Sequence, residues 1–520
     1  MVRQVLFGIA LFLSSAGGLV VEIVAGRLIA PYVGMSLYTW TAIIAVVLAG
    51  LSGGHWIGGR LAGADVGEDR ACRRLAFALA LASVSSLAAL ALLRILSGPL
   101  LTSGLGPVAV VIVLTTALFL LPSLFVGIVA PILTKLAVDR RPAEPGPVIG
   151  RMYALGTLGS IGGTLGAGFL FISWIGSTGT IIAVAFIYAA LALLFSALGR
   201  GRAGAATAVL RCAALLGLGA WGQSVRAYVS PCMTESDYFC IRVDDFTESS
   251  GRPSALMALD HLVHSINDRD DPEILYSPYI HFVDEYHRRR LGKRAVAEPL
   301  AAFFIGGGGF TLPRAWAQAF PGARLTVAEI DPAVTAAAEE HMWLDTGHAA
   351  FDIRHRDARA LLQSMPVRPT FDVVFGDAFR DISVPAHLVT REFHREVAKR
   401  LKTGGFYAVN VVDHGGEPRF LAALVRTLAT DFSVVEVWAE ADELEAALKG
   451  TGQRVTYVVI AGETGADRPV LTATHGIVRH WRQWPLPALS ERVGGDLPLL
   501  TDDFAPVDRL MAHLLTAPEE

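Results

Sequence analysis

The chain has 520 residues, of which 52% are apolar, and its mean hydropathy is +0.47, which is too hydrophobic for an ordinary soluble enzyme. A net charge of −4 argues against a nucleic-acid-binding surface. The four cysteines (Cys72, Cys212, Cys232 and Cys240) form no CxxC pair, so we expect no metal site.

The first 222 residues contain long uncharged segments, each able to supply the roughly 20 apolar residues that cross a bilayer. The candidate spans are 5–30, 37–62, 74–97, 104–137, 149–172, 178–199 and, more weakly, 205–222. Pro122 and Pro131 predict a kink or break in the fourth span. Glycines four residues apart in the fifth, such as Gly159 and Gly163, predict close helix packing. We therefore expect a bundle of six to seven spans integral to the cell membrane.

The basic residues of this half indicate its orientation. They flank the N-terminus and the loops after spans two, four and six: Arg3, Arg60, Arg70, Arg73, Arg74, Lys135, Arg140, Arg141, Arg151, Arg200 and Arg202. The positive-inside rule makes these regions cytoplasmic. The C-terminal half lies outside if 205–222 crosses the membrane and inside if that segment lies on the surface. Arg211, in its middle, leaves both alternatives open.

Two further features of this half also leave alternatives open. Cys232 and Cys240, eight residues apart, form a disulfide in an oxidising compartment or remain thiols in the cytoplasm. Glu22, Arg27 and His55 are ionisable residues within or near spans. They hold an amphiphilic or amine-bearing ligand inside the bundle, or make internal polar contacts and reach the interface.

The second half reads as alternating strands and helices after a hairpin over 238–260. Predicted strands are 300–305, 324–329, 351–355, 371–376, 405–412, 432–438 and 453–460, with a helix over 390–401 closed by Gly404 and Gly405. This alternation predicts a doubly wound α/β sheet with its ligand at the carboxyl ends of the strands.

The stretch "FFIGGGGFTLPRAWAQAFPGARLTVAEIDP" carries the clearest site signal. Gly306–Gly309 follow a strand and permit a tight turn that a ligand can approach closely. Glu329 ends the next strand, where an acid accepts hydrogen bonds from ribose hydroxyls. Asp331 and Pro332 then start a helix. Together these features predict a nucleoside site.

Two more acids follow later strands. Asp357, followed by Ala358, comes after the third strand and could receive an adenine amine, or simply cap a helix. Asp377, in "VVFGDAF", comes after the fourth strand. A carboxylate there would face the reacting carbon of a nucleoside and deprotonate an amine nucleophile.

The ensemble "IGGGGFTLPR", "VAEIDP", "RDARALL", "VVFGDAF", "VPAHLVTREFHREVAKRLKTGGFYAVNVVD" and "LTDDFAPVDRL" resembles spermidine synthases over roughly 235–515. The membrane half resembles the N-terminal region of their membrane-fused branch. The resemblance implies three domains: membrane helices (1–222), a small β-domain (230–292), and a class I methyltransferase-like Rossmann domain (293–520). It also implies aminopropyl transfer from decarboxylated S-adenosylmethionine to an amine, with release of methylthioadenosine.

The resemblance assigns roles to individual residues. Gly306, Gly307 and Gly308 would line the nucleoside, Glu329 would bind ribose, and Asp357 with Ala358 would bind adenine. Asp377 would be the catalytic base or amine anchor. Tyr276, in "ILYSPY", would be a substrate tyrosine.

Several positions depart from the family pattern. Gly309 stands where the family has an aspartate that holds the aminopropyl amine. Asp381 only loosely replaces a second catalytic-loop aspartate, and Asp502 and Asp503 either supply missing negative charge at the substrate or cap a terminal helix. The nucleoside half of the site is thus kept, whereas the amine half is altered.

Three functions follow as hypotheses. The first is a membrane-integral aminopropyltransferase acting on a small amine. The second uses intact S-adenosylmethionine on a membrane-associated acceptor. It is favoured by Gly309, because the aspartate that the family has at this position would repel the carboxylate of intact S-adenosylmethionine. The third is a transporter or sensor that binds a nucleoside or polyamine. The expected partners are the acceptor and the lipid bilayer, without nucleic acid, and the oligomeric state stays open, a homodimer included.

Overall fold

The structure is a computed structural model. It describes residues 2–199, 217, 219–295, 299–379, 383–449, 454–512 and 514. The chain divides into two compact units, unit 1 (Met1–Cys240) and unit 2 (Ile241–Glu520). The finer division of the second half into a small β-domain and a Rossmann domain stays a prediction.

Unit 1 contains long apolar helices. They are α1 (Val2–Val33), α2 (Leu37–Leu61), α3 (Glu68–Leu101), α4 (Pro107–Asp139), α5 (Pro145–Gly166) and α6 (Ile172–Leu198). A π-helical turn, Ala167–Phe171, joins the last two, so that the described part of the chain contains five helices long and apolar enough to cross a membrane. The fifth is 54 residues long and is interrupted by Gly176, whose φ is 70°. The count of six to seven spans stays a prediction, and most of 205–222 lies outside the described residues.

Small residues and prolines shape the packing of these helices. A Cβ atom at Gly159 or Gly163 would lie 2.2 Å from the carbonyl oxygen of Phe12 or Ala16, so glycine permits the close approach of α5 to α1. The fourth span was predicted to be kinked or broken; the break does not occur, and the kink stays a prediction. Helix α4 is continuous through Pro122 and Pro131.

The ionisable residues predicted within the spans do not share one environment. His55 is exposed on α2 and Glu22 is half-buried on α1. Arg27 donates to the backbone carbonyl of Tyr238 at 2.6 Å. Cys232 and Cys240 form a disulfide, which resolves the alternative that the sequence left open.

Unit 2 is built on a nine-stranded sheet. A two-residue strand, β1 (Thr234–Glu235), precedes it in unit 1. In chain order the elements are β2 (Cys240–Asp245), α7 (Thr247–Ser250), β3 (Ser254–Leu259), β4 (Leu262–Asp268), α8 (Pro278–Ala295), β5 (Ala301–Ile305), α9 (Thr311–Ala319), β6 (Arg324–Glu329), α10 (Pro332–His341), β7 (Phe351–His355), α11 (Ala358–Ser364), β8 (Phe371–Gly376), α12 (Arg391–Ala398), β9 (Leu401–His414), α13 (Arg419–Leu428), β10 (Val434–Glu440), α14 (Ala441–Leu448), β11 (Arg454–Gly462), β12 (Val470–Thr472), β13 (His480–Trp484), α15 (Leu486–Val493) and α16 (Val507–Leu510).

The strand order of the large sheet is β12-β13-β10-β11-β9-β8-β5-β6-β7. Strands β7, β6, β5, β8 and β9 are parallel, and the remaining four pair antiparallel. The sheet is therefore mixed, with its parallel part carrying the predicted site residues at the carboxyl ends of its strands. Strands β2, β3 and β4 pair antiparallel in succession, which includes the predicted hairpin.

One predicted helix ends earlier than expected. Helix α12 stops at Ala398, and Gly404 and Gly405 lie inside β9 instead of closing the helix. Leu401 already pairs with Phe371 of β8, so sheet pairing takes over directly after the helix. A Cβ at Gly405 would lie 2.7 Å from the carbonyl oxygen of Asp372, which explains the glycine there.

Candidate active site

The glycine turn and Glu329 form one unit. Strand β5 delivers Gly306, with φ +94°, and Gly308, with φ +51°, both in a region that favours glycine. Glu329, at the end of β6, accepts the backbone N–H of Gly307 at 2.8 Å and of Gly308 at 3.4 Å on one carboxylate oxygen. Its other oxygen accepts the N–H of Asp331 at 2.9 Å. Burial raises the pKa of Glu329, and these backbone donors partly offset that effect.

The position that departs from the family pattern is sterically closed. A Cβ at Gly309 would lie 2.7 Å from Cβ of Ser265 and 2.8 Å from Cε of Met342, both buried residues. The Gly309 N–H donates to Oγ of Ser265 at 2.8 Å, and its carbonyl accepts from Nδ2 of Asn267 at 2.7 Å. The next residue, Phe310, is fully buried with φ 55°, an uncommon conformation for a bulky residue. No acidic side chain fits at position 309 without local rearrangement.

Asp377 follows β8 beside the glycine turn. Its carbonyl oxygen would lie 2.7 Å from a Cβ at Gly306, and its N–H donates to Ile305 of β5 at 2.9 Å. The half-buried carboxylate accepts Nδ2 of Asn410 at 2.8 Å and the hydroxyl of Tyr279 at 3.2 Å. Burial raises the pKa of Asp377 to about 6, although the two hydrogen bonds lower it. A carboxylate in this state can accept a proton near neutral pH.

Two partners of Asp377 were missed by the sequence analysis. Asn410 lies on β9, is only 4% exposed, and its Oδ1 has no hydrogen-bond partner among the described residues. Tyr279 is the second residue of helix α8, and burial together with Asp377 raises its pKa well above the usual value, so it stays a hydroxyl donor. The sequence signal for Tyr279 was present, since a second tyrosine stands three residues after Tyr276.

Tyr276, the predicted substrate tyrosine, contacts a different acid. Its hydroxyl donates at 3.0 Å to Asp268, at the end of β4. Asp268 also accepts Nε of Arg252 at 2.7 Å. Burial would raise the pKa of Asp268, but Arg252 and the other donors, including Tyr276, lower it to about 2. The structure therefore brings Tyr279, rather than Tyr276, to Asp377.

Asp357 lies at the end of β7, two strands away from β5. It caps α11 by accepting the N–H of Ala360 at 2.9 Å, and its other oxygen lies 2.7 Å from Nε2 of His387. Burial would raise the pKa of Asp357, but the Ala360 N–H and His387 together lower it. Ala358 is the buried first residue of the helix. The predicted adenine contact is thus a helix cap with a histidine partner, and its adenine role stays a prediction.

The remaining predicted acids divide into three cases. Asp502 forms a two-point ion pair with Arg359, at 2.7 and 2.6 Å, and Arg359 also donates to the carbonyl of His387. This places Asp502 near Asp357 rather than near Asp377. Asp503 is exposed. Asp381 lies outside the described residues.

A small cavity borders Tyr279. Aromatic residues Phe282, Trp438 and Trp481 line it, together with Glu440 and Glu443. Burial raises the pKa of both glutamates, which lie at the end of β10 and at the start of α14. Aromatic faces and carboxylates both attract organic cations.

Comparisons with known proteins give modest similarities confined to part of the chain. No family model matches the sequence. It is 31% identical over 114 residues to a polyamine aminopropyltransferase from Vibrio vulnificus (strain CMCP6), across 22% of this chain and 38% of that protein. It is 25% identical over 248 residues to a probable polyamine aminopropyl transferase from Bifidobacterium longum (strain NCC 2705), across 44% of this chain and 53% of that protein.

Similarity to solved structures also covers only part of the chain. A probable spermidine synthase from Corynebacterium glutamicum ATCC 13032 aligns with 54% of this chain and 99% of its own, at 20% identity and a TM-score of 0.45. The chain spans between about two fifths and about half of the length of the two aminopropyltransferases above.

Proposed function

We propose that this chain, whose predicted spermidine-synthase-like character is confirmed by its relatives, is a transferase that moves an aminopropyl group from decarboxylated S-adenosylmethionine to an amine. The observation that carries the proposal is the carboxylate of Asp377 beside the glycine turn, held by Tyr279 and Asn410 with a pKa of about 6. The apolar helices of unit 1 would integrate the enzyme into the membrane.

The nucleoside end of the substrate would lie against Gly306, Gly307 and Gly308. Glu329 would accept hydrogen bonds from the ribose hydroxyls on lone pairs that its backbone donors leave unused. Asp357 would accept the adenine amine, with Ala358 beneath the base. No metal is needed for this chemistry, because the sulfonium is already an activated leaving group.

For this transfer the protein has to align the amine with the sulfonium substrate and remove a proton from the amine. The amine nitrogen attacks the aminopropyl carbon that is bonded to the sulfonium sulfur. A carbon–nitrogen bond forms, the carbon–sulfur bond breaks with its electron pair passing to sulfur, and methylthioadenosine leaves. Asp377 takes a proton from the bound ammonium, which frees the nitrogen lone pair for the attack, and Asn410 Oδ1, buried beside it, would accept a further N–H of the amine.

The far end of the acceptor would occupy the cavity beside Tyr279. Its aromatic walls and the two carboxylates of Glu440 and Glu443 suit a second cationic group. These acids would supply the negative charge that position 309 cannot, which favours a diamine or polyamine over a singly charged amine.

A second candidate is supported by Gly309. Because no acid fits there, the site lacks the group that would repel the carboxylate of intact S-adenosylmethionine. The protein would then transfer a methyl or aminocarboxypropyl group to a membrane-associated acceptor.

One assay separates these functions. Purified full-length protein is incubated with labelled S-adenosylmethionine or its decarboxylated form, together with polyamines and lipid vesicles, and the nucleoside product is identified. Methylthioadenosine formed from the decarboxylated compound supports aminopropyl transfer. S-adenosylhomocysteine indicates methyl transfer, and methylthioadenosine from the intact compound indicates aminocarboxypropyl transfer. Nucleoside binding without turnover would contradict both and favour a transporter or sensor.

A further inference from the structure

The basic residues of unit 1 gather at one end of its helices. Glu68, at the start of α3, forms ion pairs with Arg3 of α1 at 2.5 Å and with Arg140, just after α4, at 2.6 Å. Lys135 of α4 donates to the carbonyl of Val66 at 2.5 Å. The start of α1, the start of α3 and the end of α4 therefore meet at this end, which we call the basic end.

Other basic residues belong to the same end by their place in the chain. Arg60 ends α2 and Arg70, Arg73 and Arg74 begin α3, while Arg141 and Arg151 follow α4. A Cβ at Gly199, after α6, would lie 3.1 Å from Cγ of Arg73, so α6 also ends here. Because cytoplasmic loops carry the excess of arginine and lysine, the basic end faces the cytoplasm.

Residues 225–240, which we call the connector, lie at the opposite end. Arg27 of α1 donates to the carbonyls of Tyr238, Ser236 and Phe239. Arg27 follows Arg3 along one helix by about 36 Å at 1.5 Å per residue, which exceeds a hydrocarbon thickness of about 30 Å. The connector therefore binds α1 on the far side of the membrane from Arg3.

Two further helices hold the connector at the same place. Arg94, near the end of α3, donates to the carbonyl of Val229 and, at 2.9 Å, to the hydroxyl of Tyr32. Glu235 accepts the N–H of Ser177 at 2.9 Å and its hydroxyl at 2.5 Å, just after the interruption of the helix at Gly176. These contacts also explain why two arginines are retained near the non-cytoplasmic ends of apolar helices.

The disulfide is an independent indication of the compartment. Cys232 and Cys240 both lie in the connector, with their Cα atoms 5.2 Å apart. Disulfides persist in oxidising compartments outside the cytoplasm and are rare within it. The charge distribution and the cysteine chemistry thus point to the same side.

We propose that the connector lies on the non-cytoplasmic face of the membrane and that unit 2, which begins one peptide bond after Cys240, lies on that side. Gly199 is at the basic end and the connector at the opposite one, so these two described parts of unit 1 lie on opposite sides of the bilayer.

The placement has a consequence for the substrates. The acceptor is a cationic amine, or a membrane-associated group, that is present outside the cytoplasm. An adenosyl co-substrate, made inside the cell, must be delivered across the membrane to reach Glu329 and Asp377. The placement itself does not rest on the proposed transfer reaction, and its test measures no activity.

Cysteine accessibility in intact cells tests this directly. In full-length protein carrying Cys72→Ala and Cys212→Ser, a single new cysteine is introduced at exposed Glu248 of α7 (E248C) or, as the matched control, at exposed Ala64 in the loop after α2 (A64C). A membrane-impermeant maleimide is expected to label E248C in intact cells and A64C only after permeabilisation. Labelling of E248C only after permeabilisation would overturn the proposal.

The unmodified chain provides a second test that needs no folding-competent variant. Cys232 and Cys240 are expected to react with the impermeant maleimide in intact cells only after treatment with an impermeant reductant, adding two labels per chain. Labels that peptide mapping locates on Cys232 and Cys240, and that appear without reductant and only once the membrane is opened, would contradict the placement.

Discussion

Glu329 and Asp377 follow the two strands that flank β5, yet the protein satisfies their carboxylates in different ways. Glu329 accepts three backbone N–H groups, which are fixed by the turn and the start of α10. Asp377 accepts two side-chain donors, Tyr279 and Asn410, and the buried Oδ1 of Asn410 has no partner in the described part of the chain. Backbone donors make Glu329 part of the scaffold, whereas Asp377 has partners that a substrate can rearrange.

The difference between the two carboxylates suits Glu329 to ligand binding and Asp377 to proton transfer. A carboxylate held by the backbone keeps one geometry and suits a neutral polyol such as ribose. A half-buried carboxylate with a pKa of about 6 can exchange a proton with an amine. Backbone contacts therefore fix the geometry of Glu329, and packing closes position 309 to a larger side chain.

The largest effect is expected for Asp377→Asn. The amide keeps the shape of the side chain but cannot take a proton, so transfer should fall by about 10²- to 10⁴-fold. Nucleoside affinity, measured by calorimetry, should change little. Asp467→Asn, at an exposed position, is the matched control and should leave both quantities unaltered.

Glu329→Gln should act mainly on binding. Hydrogen bonds to a charged group contribute about 1.5–3 kcal/mol, so nucleoside affinity should fall roughly 10- to 100-fold, with a smaller change in the rate at saturation. Glu340→Gln, on the exposed side of α10, is the control. A large loss of saturated rate with unchanged affinity would reverse the roles given to the two acids.

The two tyrosines offer a matched pair of hydroxyl deletions. Tyr279→Phe removes a donor from Asp377, and Tyr276→Phe removes one from Asp268. We expect Tyr279→Phe to lower transfer about tenfold and to raise the pKa seen in the rate profile, because a hydrogen bond to the carboxylate is lost. Equal effects of the two variants on the transfer rate would contradict the role given to the hydrogen bond between Tyr279 and Asp377.

The smallest predicted effect concerns position 309 and is one of stability. Gly309→Ala places a methyl group against Ser265 and Met342, and overpacking of this kind costs about 1–3 kcal/mol, measured as a lower midpoint of unfolding. Gly150→Ala, on α5 with open space around it, is the control. Gly309→Asp should not restore an amine-binding acid, and a gain in amine affinity in that variant would contradict the packing argument.

Much of the fold followed from the sequence, because strand and helix periodicities in the second half are strong and the glycine turn is followed by an acid at a fixed spacing. The three acids at strand ends were found for the same reason. The tyrosine that meets Asp377 was not, since Tyr276 lies before α8 and Tyr279 lies in its first turn, and the local pattern does not show which of them the fold brings to Asp377. Asn410 lies in a strand whose apolar pattern predicts burial. That pattern does not predict that its side-chain amide contacts Asp377.

Ion pairing also lay beyond the sequence. Asp502 was a candidate for substrate charge, yet its two oxygens bind Arg359, a partner about 140 residues away in the chain. The local sequence pattern around Asp502 does not predict an ion pair with a residue so distant in the chain.

The most direct test of the central claim is the pH dependence of aminopropyl transfer in wild-type protein and in Asp377→Asn. The pKa of Asp377 is raised to about 6 in the folded protein, so its basic form is lost as pH falls through that value. We predict a wild-type rate constant, from single-turnover measurements, that levels off above about pH 6 and falls about tenfold per pH unit below it. The variant should be slower at every pH and lack this inflection. An Asp377→Asn protein that keeps the wild-type rate and the same inflection would contradict the assignment of Asp377 as the base.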